Sequence, residues 1–339
     1  MTEDERIEAA LANYDLGTVQ KIDHHSGTAA KTWRVTTDRG DWLLRTRGSR
    51  TSSDGLIAFD HGLRAHLVNN GIPTAEPVRT RAGEGFARVG RHAMEVYALH
   101  SGHTIGHADL LQVGAAARML AAFHRAGADY LADPPPVAQY RTLGLDTASA
   151  RMESPELLAL LYDRLSQEAG TRFAKAQAVA NRWLARLQKE LLDEVYYQLP
   201  QTMTHGDFTL ANLLFSDVGS VCGVFDFDWS RRGPRIRDVA DGMFFVAGQR
   251  RTPLMAANIW SLTEAVELST DRCAAWLESY QESSPLSPAE VAAIPLALAA
   301  RWLSVRLEGT AKVPPEDRLR FTFGNLAEPL EWLGGQGGF

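Results

Sequence analysis

The chain changes character near residue 98, and this change limits the folds open to it. From residue 18 to 98, short runs of β-branched and aromatic residues are separated by turns and broken by one helical segment. From about residue 106 onward the apolar spacing is mainly helical. The sequence therefore predicts an α+β protein with a small β-rich part at 1–98 and a larger, mainly helical part at 99–339.

Local patterns divide the first part further. Residues 32–37 and 41–46 alternate around a polar turn and predict a hairpin, and 86–89 and 93–97 predict two more strands. Apolar residues at helical spacing predict a helix over 56–68, which Gly and Pro end shortly afterwards. A helix before these strands would bury one face, formed by Ile7, Ala10, Leu11 and Tyr14.

A polar pattern with fixed spacing interrupts the helical part. Asp207 and Asn212 are five positions apart, and Asp226 follows Asn212 by fourteen, with a hairpin turn at 216–220 between them. Because the midpoint of the last two is Gly219, the spacing predicts that Asn212 and Asp226 face each other across the hairpin. An amide oxygen and a carboxylate so placed suit Mg²⁺, and Asp207 would face whatever the metal holds.

The same residues resemble a known family. The spacing of Asp207, Asn212 and the pair Asp226-Phe227 resembles kinase catalytic loops. With His205 ahead of Asp207, the segment resembles the superfamily of aminoglycoside phosphotransferases, choline kinases and type II homoserine kinases, which are protein-kinase-like small-molecule kinases. The segment 233–240 looks like the family's Pro-x-x-x-Asp-Leu-Ala stretch, and 277–290 is similar to C-terminal helices of the homoserine kinase branch.

The resemblance implies a bilobal protein-kinase-like fold that transfers the γ-phosphoryl group of ATP to a hydroxyl of a small molecule. It implies that Asp207 orients the acceptor hydroxyl and takes its proton, and that His205 belongs to the catalytic loop, mainly as its brace. Asn212 and Asp226 would hold Mg²⁺. Asp238, in the 233–240 segment, would brace the loop. The acceptor would be an amino alcohol such as homoserine, a choline-like compound or an aminoglycoside.

The resemblance also implies a phosphate site in the β-rich part. The loop 24–31 would cover the phosphates through Ser26 and Gly27, although it has a single glycine and also reads as an ordinary hairpin connection. Arg45 stands where a lysine is usual, with Lys31 as the other candidate, and Asp60 replaces the usual helix glutamate that pairs with that lysine.

The hinge between the two parts would contact the adenine. The family pattern places this contact at the backbone of Glu95 to Tyr97. The histidines that follow, His100, His103 and His107, also have a spacing compatible with zinc, although a linker role is the other interpretation.

Other interpretations remain open for the remaining polar residues. Asp228 would either contact the metal, directly or through one of its ligands, or cap a turn. The run 223–228 also resembles the Asp-x-Asp motif of haloacid-dehalogenase-like phosphatases, but the only lysine after it is Lys312, in the C-terminal helices, and no Asp-Asp pair follows. A non-catalytic, pseudokinase-like binding protein is the alternative function. Carboxylates that would meet a cationic acceptor or else form solvated helix faces are Glu153, Glu156, Asp163, Asp241 and Glu278.

Composition fits a cytoplasmic enzyme. A net charge of −6 over 339 residues argues against nucleic-acid binding. The acidic N-terminus lacks a signal-peptide pattern, and we expect no apolar run near the ~20 residues that cross a bilayer. Cys222 and Cys273 are the only cysteines and indicate reduced thiols. The expected partners are ATP, Mg²⁺ and the small acceptor, with neither nucleic acid nor membrane.

Overall fold

The computed structural model describes residues 1–25, 31–135, 141–143, 145–146, 153–255 and 258–335. Its helices are α1 (Glu3–Leu11), α2 (Asp54–Asn69), α3 (Leu110–Ala128), α4 (Pro155–Ala169), α5 (Ala174–Glu190), α6 (Asp193–Gln198), α7 (Ile236–Gly242), α8 (Thr270–Gln281), α9 (Pro288–Gly309), α10 (Arg318–Phe323) and α11 (Ala327–Gly335).

Its strands are β1 (Val19–His25), β2 (Thr32–Thr37), β3 (Gly40–Thr46), β4 (Ala87–Val89), β5 (His92–Ala98), β6 (Arg141–Thr142), β7 (Leu145–Asp146), β8 (Gln201–Thr204), β9 (Leu213–Phe215), β10 (Val221–Val224), β11 (Arg231–Pro234), β12 (Gln249–Arg250) and β13 (Val266–Glu267). The predicted α+β class is confirmed, as are the predicted hairpin of β2 and β3 and the helix α2.

One antiparallel sheet forms the N-terminal part, in the order β1-β2-β3-β5-β4. The face predicted for α1 is buried: Ile7, Ala10 and Leu11 are at most 8% exposed. They pack with Tyr14 on sheet residues such as Val35, which forms a small core separate from the rest. Tyr14 also donates a hydrogen bond from its hydroxyl to the carbonyl of Met94 (2.9 Å).

A second, larger core fills the helical part, and it includes one helix from the N-terminal part. Phe59, Leu63 and Leu67 of α2 pack with α3 and the helices behind it, not with the small core. A neighbouring side of α2 carries the buried Asp60 and Arg64 toward the sheet. The helix α2 therefore joins the two parts, which is why a boundary drawn at 98 does not separate their cores.

The helix α9 crosses the centre of the larger core. With the turn after it, Pro288–Lys312 has the length and hydropathy (mean 1.2) of a membrane span, contrary to the expectation from the sequence. However, 72% of that window is buried inside the protein, so its apolar surface contacts other helices. Burial on all sides explains why the helix is apolar around most of its circumference.

Candidate active site

Two antiparallel pairs hold the polar segment between 205 and 228. The strand β8 pairs with β11 in the register Thr204↔Arg231, and β9 pairs with β10. The loop 205–212 connects β8 to β9, whereas 225–230 connects β10 to β11. Both loops therefore leave the same ends of the two pairs and lie beside each other.

Asp238 at the start of α7 fixes the first of these loops. Its carboxylate accepts hydrogen bonds from the backbone N–H groups of His205 (2.5 Å) and Gly206 (3.0 Å), and from Nε2 of His124 (3.0 Å). Burial alone would raise its pKa, but the hydrogen bond from His124 and the charge of Arg237 lower the pKa of Asp238 to about 2. The carboxylate therefore stays ionised and holds the loop from behind.

His205 connects the two loops. Its Nε2 donates to the carbonyl of Phe225 (2.9 Å), while its Nδ1 accepts from the backbone N–H of Asp207 (3.3 Å). The ring is fully buried, and this burial lowers its pKa, so the neutral imidazole is favoured. Both ring nitrogens are used within the protein, and the residue lines neither cavity described below. Through these contacts His205 holds the two loops together.

Asp207 is the carboxylate that these contacts position. Its Oδ2 accepts from Nδ2 of Asn212 (3.0 Å), and that same nitrogen donates to the carbonyl of Asp207 (2.8 Å). Within the part of the chain that the structure describes, Oδ1 of Asp207 accepts no hydrogen bond from protein. Burial, followed by the neighbouring charge of Asp226, raises the pKa of Asp207. One carboxylate oxygen is thus available to a ligand.

The pairing predicted between Asn212 and Asp226 is wrong in its register. Leu213 lies opposite Val224, and the N–H of Phe225 donates to the carbonyl of Asn212 (3.0 Å). At the turn end Phe215 lies opposite Val221, so the pairing is centred on Val218 and not on Gly219. A bulge between Val221 and Gly223 recovers one of the two positions lost there, which leaves Asn212 opposite Phe225. Asp226 follows in the left-handed region (φ +65°), outside the ladder. The bulge is not visible in the spacing, from which the prediction was made.

Two cavities meet at this segment. The larger one, about 970 Å³, lies between the sheet and the loops and is lined by Asn212, Asp226 and Arg45. The smaller one, about 400 Å³, is lined by Asp207 and Asp228. Phe245 and Leu254 line both cavities. Asp207 and the two predicted metal ligands therefore face two adjoining spaces.

Arg45 reaches the second loop from β3. Its Nη2 contacts Asp226 (3.2 Å) and Asp228 (2.7 Å), and the residue lines the larger cavity. Asp228 also accepts from Nη1 of Arg47 (3.2 Å) and from the hydroxyl of Thr51 (3.2 Å). Asp228 thus links the loop to Arg45, which also contacts Asp226, and to Arg47 just after β3.

The partner predicted for Asp60 is wrong, because Asp60 pairs with Arg47 and Arg64 and makes no contact with Arg45 among the described residues. Arg47 also donates from Nε to Oε1 of Glu95 (2.8 Å), and its side chain is 1% exposed. The contacts of Arg47 with Asp60 and Glu95 are not among the predictions from the sequence. The signal was present, since Arg45 and Arg47 are two residues apart on an extended segment and therefore share a face.

Among the other predicted nucleotide contacts, Lys31 pairs with Glu3 (2.8 Å) on the exposed side of the sheet and lines neither cavity. Ser26 and Gly27 lie outside the described residues. Glu95 directs its carboxylate into the Arg47 cluster. Tyr97 lines the larger cavity and donates from its hydroxyl to Glu95 (3.1 Å).

The backbone at the predicted hinge is largely occupied. Glu95 and Tyr97 pair with β3, and the carbonyl of Val96 accepts from Val78 (2.7 Å). Ala98 also pairs with β3, at Trp42, and the N–H of Leu99 donates to the carbonyl of Asp41 (3.1 Å), while Tyr97 and the residues after it line the larger cavity. The adenine contact expected at Glu95–Tyr97 therefore stays a prediction, and the cavity lining continues from Tyr97 to His100.

The zinc interpretation receives no support. Over the described residues, one group of three metal-ligating side chains comes within 4.8 Å, and it consists of Asp60, His61 and Glu95. His100, His103 and His107 do not form such a group, although all three line the larger cavity. Arg47 already supplies positive charge to Asp60 and Glu95, which makes a metal ion unnecessary there.

A small antiparallel sheet, a helical part and an Asp-Asn-Asp segment between two cavities define a protein-kinase-like phosphotransferase. Comparison with known proteins supports this class. The model of the family described as "Phosphotransferase enzyme family" matches residues 22–280, and the chain belongs to this family. It is a phosphotransferase that acts on a small molecule.

Relatives with similar sequences cover nearly the whole chain. A homoserine kinase of Parvibaculum lavamentivorans is 26% identical over 336 residues, which are 97% of this chain and 92% of the relative. A homoserine kinase of Methylobacterium sp. (strain 4-46) is 27% identical, over 92% of this chain and 88% of the relative.

Solved structures share the fold at lower identity. An amicoumacin kinase in complex with AMP-PNP and Ca²⁺ has a TM-score of 0.65 at 15% identity, over 100% of this chain and 95% of the other. A microcompartment-associated aminopropanol kinase also has a TM-score of 0.65, at 16% identity, over 98% of this chain and 99% of the other. The protein-kinase-like fold, the use of ATP with a divalent metal ion and a hydroxyl acceptor follow for this chain from its family.

Proposed function

We propose that this protein transfers the γ-phosphoryl group of Mg-ATP to the hydroxyl of a small amino alcohol. One observation carries the proposal: Asp207 lines the smaller cavity while Asn212 and Asp226 line the adjoining larger one. A nucleotide in the larger cavity and an acceptor in the smaller one would then meet at these three side chains. In this arrangement residues 1–98 and 99–339 both contribute to each cavity, and the reacting groups come from 99–339.

The side chains at the junction suit Mg²⁺. Asn212 directs its amide nitrogen to Asp207, so its amide oxygen is free to act as a ligand, and Asp226 offers a carboxylate beside it. Oxygen ligands of this kind, in small number, are what Mg²⁺ uses when phosphates complete its coordination. The ion would supply charge neutralisation for the phosphates.

Asp207 would act on the acceptor. Its free Oδ1 accepts a hydrogen bond from the acceptor hydroxyl and orients the oxygen toward the γ-phosphorus. A new bond forms between that oxygen and the γ-phosphorus, the bond from phosphorus to the β,γ-bridging oxygen breaks, and ADP leaves with that electron pair. The hydroxyl proton passes to Asp207 and then to solvent. Positioning and electrostatic stabilisation supply most of the acceleration in such reactions.

Arg45 and the hinge would hold the nucleotide. Arg45 faces the larger cavity from β3, and its guanidinium is kept there by Asp226 and Asp228. Its planar fork suits phosphate oxygens. The backbone from Ala98 to His100 is the segment we assign to the nucleotide base.

The acceptor is proposed from the relatives and from size. The two relatives described above are homoserine kinases, and one structural neighbour is an aminopropanol kinase. A cavity of about 400 Å³ is near the lower end of the range for ligand pockets, which favours a small acceptor over an aminoglycoside. We place the enzyme in the cytoplasm, where ATP and such metabolites are found.

The test is acceptor-dependent ADP release with Mg-ATP, measured for the wild type and Asp207→Asn. We expect the variant to lose at least about 100-fold in turnover, because general-base contributions are of this size, while the Kd for Mg-ATP changes little. Asp217→Asn is the matched control, since Asp217 is fully exposed on the turn of the same hairpin and should leave turnover unchanged.

Two results would reject the proposal. A chain that binds no Mg-ATP is not a kinase. A chain that binds Mg-ATP but releases no additional ADP with any acceptor is a pseudokinase-like binding protein. The free Oδ1 of Asp207 and the position of Asn212 and Asp226 favour the enzyme over this alternative.

A further inference from the structure

Three charged side chains, two of them buried and one partly exposed, line the smaller cavity and lie outside the loop 205–212 in sequence. Arg237 on α7 and Arg301 on α9 both line this cavity, and so does Glu308 near the end of α9. The side chains of Arg237 and Arg301 are only 10% and 4% exposed. Buried charges are costly unless they are paired, so the pairing of each one is informative.

The two arginines contact carboxylates through Nε and Nη1. Nε of Arg237 donates to Oε1 of Glu153 (2.9 Å), while Arg301 donates from Nη1 to that same oxygen (2.6 Å) and from Nε to Asp241 (2.6 Å). Over the described residues, Nη2 of neither arginine donates a hydrogen bond to protein. Nη1 of Arg237 is buried without one as well, 3.6 Å from Asp241. Each of the two guanidinium groups therefore has N–H donors that no described residue accepts.

Glu308, among the described residues, is a carboxylate that lacks a positively charged group in contact with it. No ion pair or hydrogen bond connects it to any residue in the described part of the chain, although Arg301 and Arg237 lie within electrostatic range of it. Burial raises the pKa of its carboxyl, as expected for a carboxylate that lacks a cation in contact with it. A ligand that brought a positive group to Glu308 would remove this cost.

Arg301 lies close enough to Asp207 and to Glu308 for its charge to act on both carboxyl groups. The proposed base Asp207, the two arginines and Glu308 therefore surround one small space. We propose that the smaller cavity binds the acceptor as a zwitterion, with its carboxylate on Arg237 and Arg301 and its ammonium on Glu308. The acceptor is then a short hydroxy amino acid. This inference rests on the proposed phosphotransfer and excludes choline, aminopropanol and aminoglycosides as the preferred acceptors, since none of these carries a carboxylate.

The test uses three acceptors of matched length with the full chain and Mg-ATP. L-Homoserine carries both ionic groups, 3-aminopropan-1-ol lacks the carboxylate, and 4-hydroxybutanoate lacks the ammonium. We expect kcat/KM for homoserine to exceed that for either analogue by at least about 100-fold, because a site built for a polar group rejects an analogue without it. L-Serine, L-threonine and hydroxylysine extend the series to other hydroxy amino acids.

Two variants assign the ionic groups. Glu308→Gln should lower kcat/KM for homoserine, mainly through a higher KM. The ratio of kcat/KM for homoserine to that for 4-hydroxybutanoate should fall, whereas the ratio for homoserine to aminopropanol should persist. Arg237→Lys keeps the charge beside Glu153 but loses the fork, and it should shrink the advantage over aminopropanol instead. A merely structural role would lower activity on all three acceptors by the same factor.

The outcomes separate this inference from the proposed function. The zwitterion site is overturned if the protein phosphorylates aminopropanol, choline or an aminoglycoside as efficiently as every hydroxy amino acid tested. That result would leave the proposed kinase activity intact. Mg-ATP binding without phosphorylation of any hydroxy amino acid also overturns it. Absence of Mg-ATP binding rejects the proposed function itself.

Discussion

Arg47 lies at the centre of a buried ionic cluster, and its removal gives a sharp prediction. The guanidinium contacts Asp60, Glu95 (2.8 Å) and Asp228 (3.2 Å), and 1% of the side chain is exposed. We predict that Arg47→Met destabilises the protein although the residue contacts no nucleotide base or acceptor hydroxyl in the proposed mechanism.

The expected loss of stability depends on the partners that Asp60 and Glu95 keep after the substitution. Asp60 keeps Arg64 (3.1 Å) and Glu95 keeps His61 (2.7 Å), but both carboxylates stay buried with less positive charge. Removal of one partner from a buried ion pair costs about 3–5 kcal/mol. For a chain of this size, we expect the melting temperature to fall by roughly 5–15 °C.

Thermal melting by circular dichroism measures the effect, with Arg34→Met as the matched control. Arg34 lies on the neighbouring strand β2 and also pairs with a carboxylate, Asp41 (2.7 Å), but its side chain is 48% exposed. Because exposed pairs of this kind contribute little, the control should melt with the wild type.

A second substitution distinguishes charge from packing. If the cost comes from the uncompensated carboxylate of Glu95, adding Glu95→Gln to Arg47→Met should recover part of the lost stability. The reasoning is refuted if Arg47→Met melts within about 2 °C of Arg34→Met. It is also refuted if the double variant is less stable than the single one.

Two further predictions concern the catalytic loop and its surroundings. Gly206 has φ +84°, and a Cβ there would lie 2.4 Å from the carbonyl oxygen of Trp229, so Gly206→Ala should displace the loop and lower kcat at least tenfold. Gly90→Ala, at φ +60° in open space, should leave kcat unchanged, and equal kcat in both variants would contradict the prediction. Burial raises the pKa of Asp241 to about 7, whereas an unfolded Asp titrates near 4, so the native state retains a proton that the unfolded state releases. The free energy of unfolding should therefore fall as pH rises from about 4 to about 7, by at most about 1.4 kcal/mol per pH unit for this group. Urea unfolding of Asp241→Asn should show a shallower decline over that window, and parallel profiles would count against it.

The local patterns of the sequence were sufficient for the secondary structure of the N-terminal part. The hairpin of β2 and β3, the helix α2 and the buried face of α1 follow from alternation, helical spacing and turn residues. Each of these signals depends on residues a few positions apart, so it can be recognised in the sequence directly. The bulge between Val221 and Gly223 is different, because it depends on how two strands settle against each other.

The carboxylates considered for a cationic acceptor show the same limit. Glu156, Asp163 and Glu278 are exposed on helix faces, as their polar surroundings in the sequence suggest. Glu153 and Asp241 are buried beside Arg237 and Arg301, and Arg301 lies 148 positions from Glu153. Nothing local to Glu153 indicates that contact.

The sequence by itself determined the order of strands and helices and the spacing of Asp207, Asn212 and Asp226, because each depends on neighbours along the chain. Tertiary structure alone decided which arginine pairs with Asp60, where the two cavities lie, and that Arg237, Arg301 and Glu308 share one of them. The physical reason is that ionic pairing in a core depends on distances through space and on exclusion of water. Both are set by the packing of elements that are far apart in the chain.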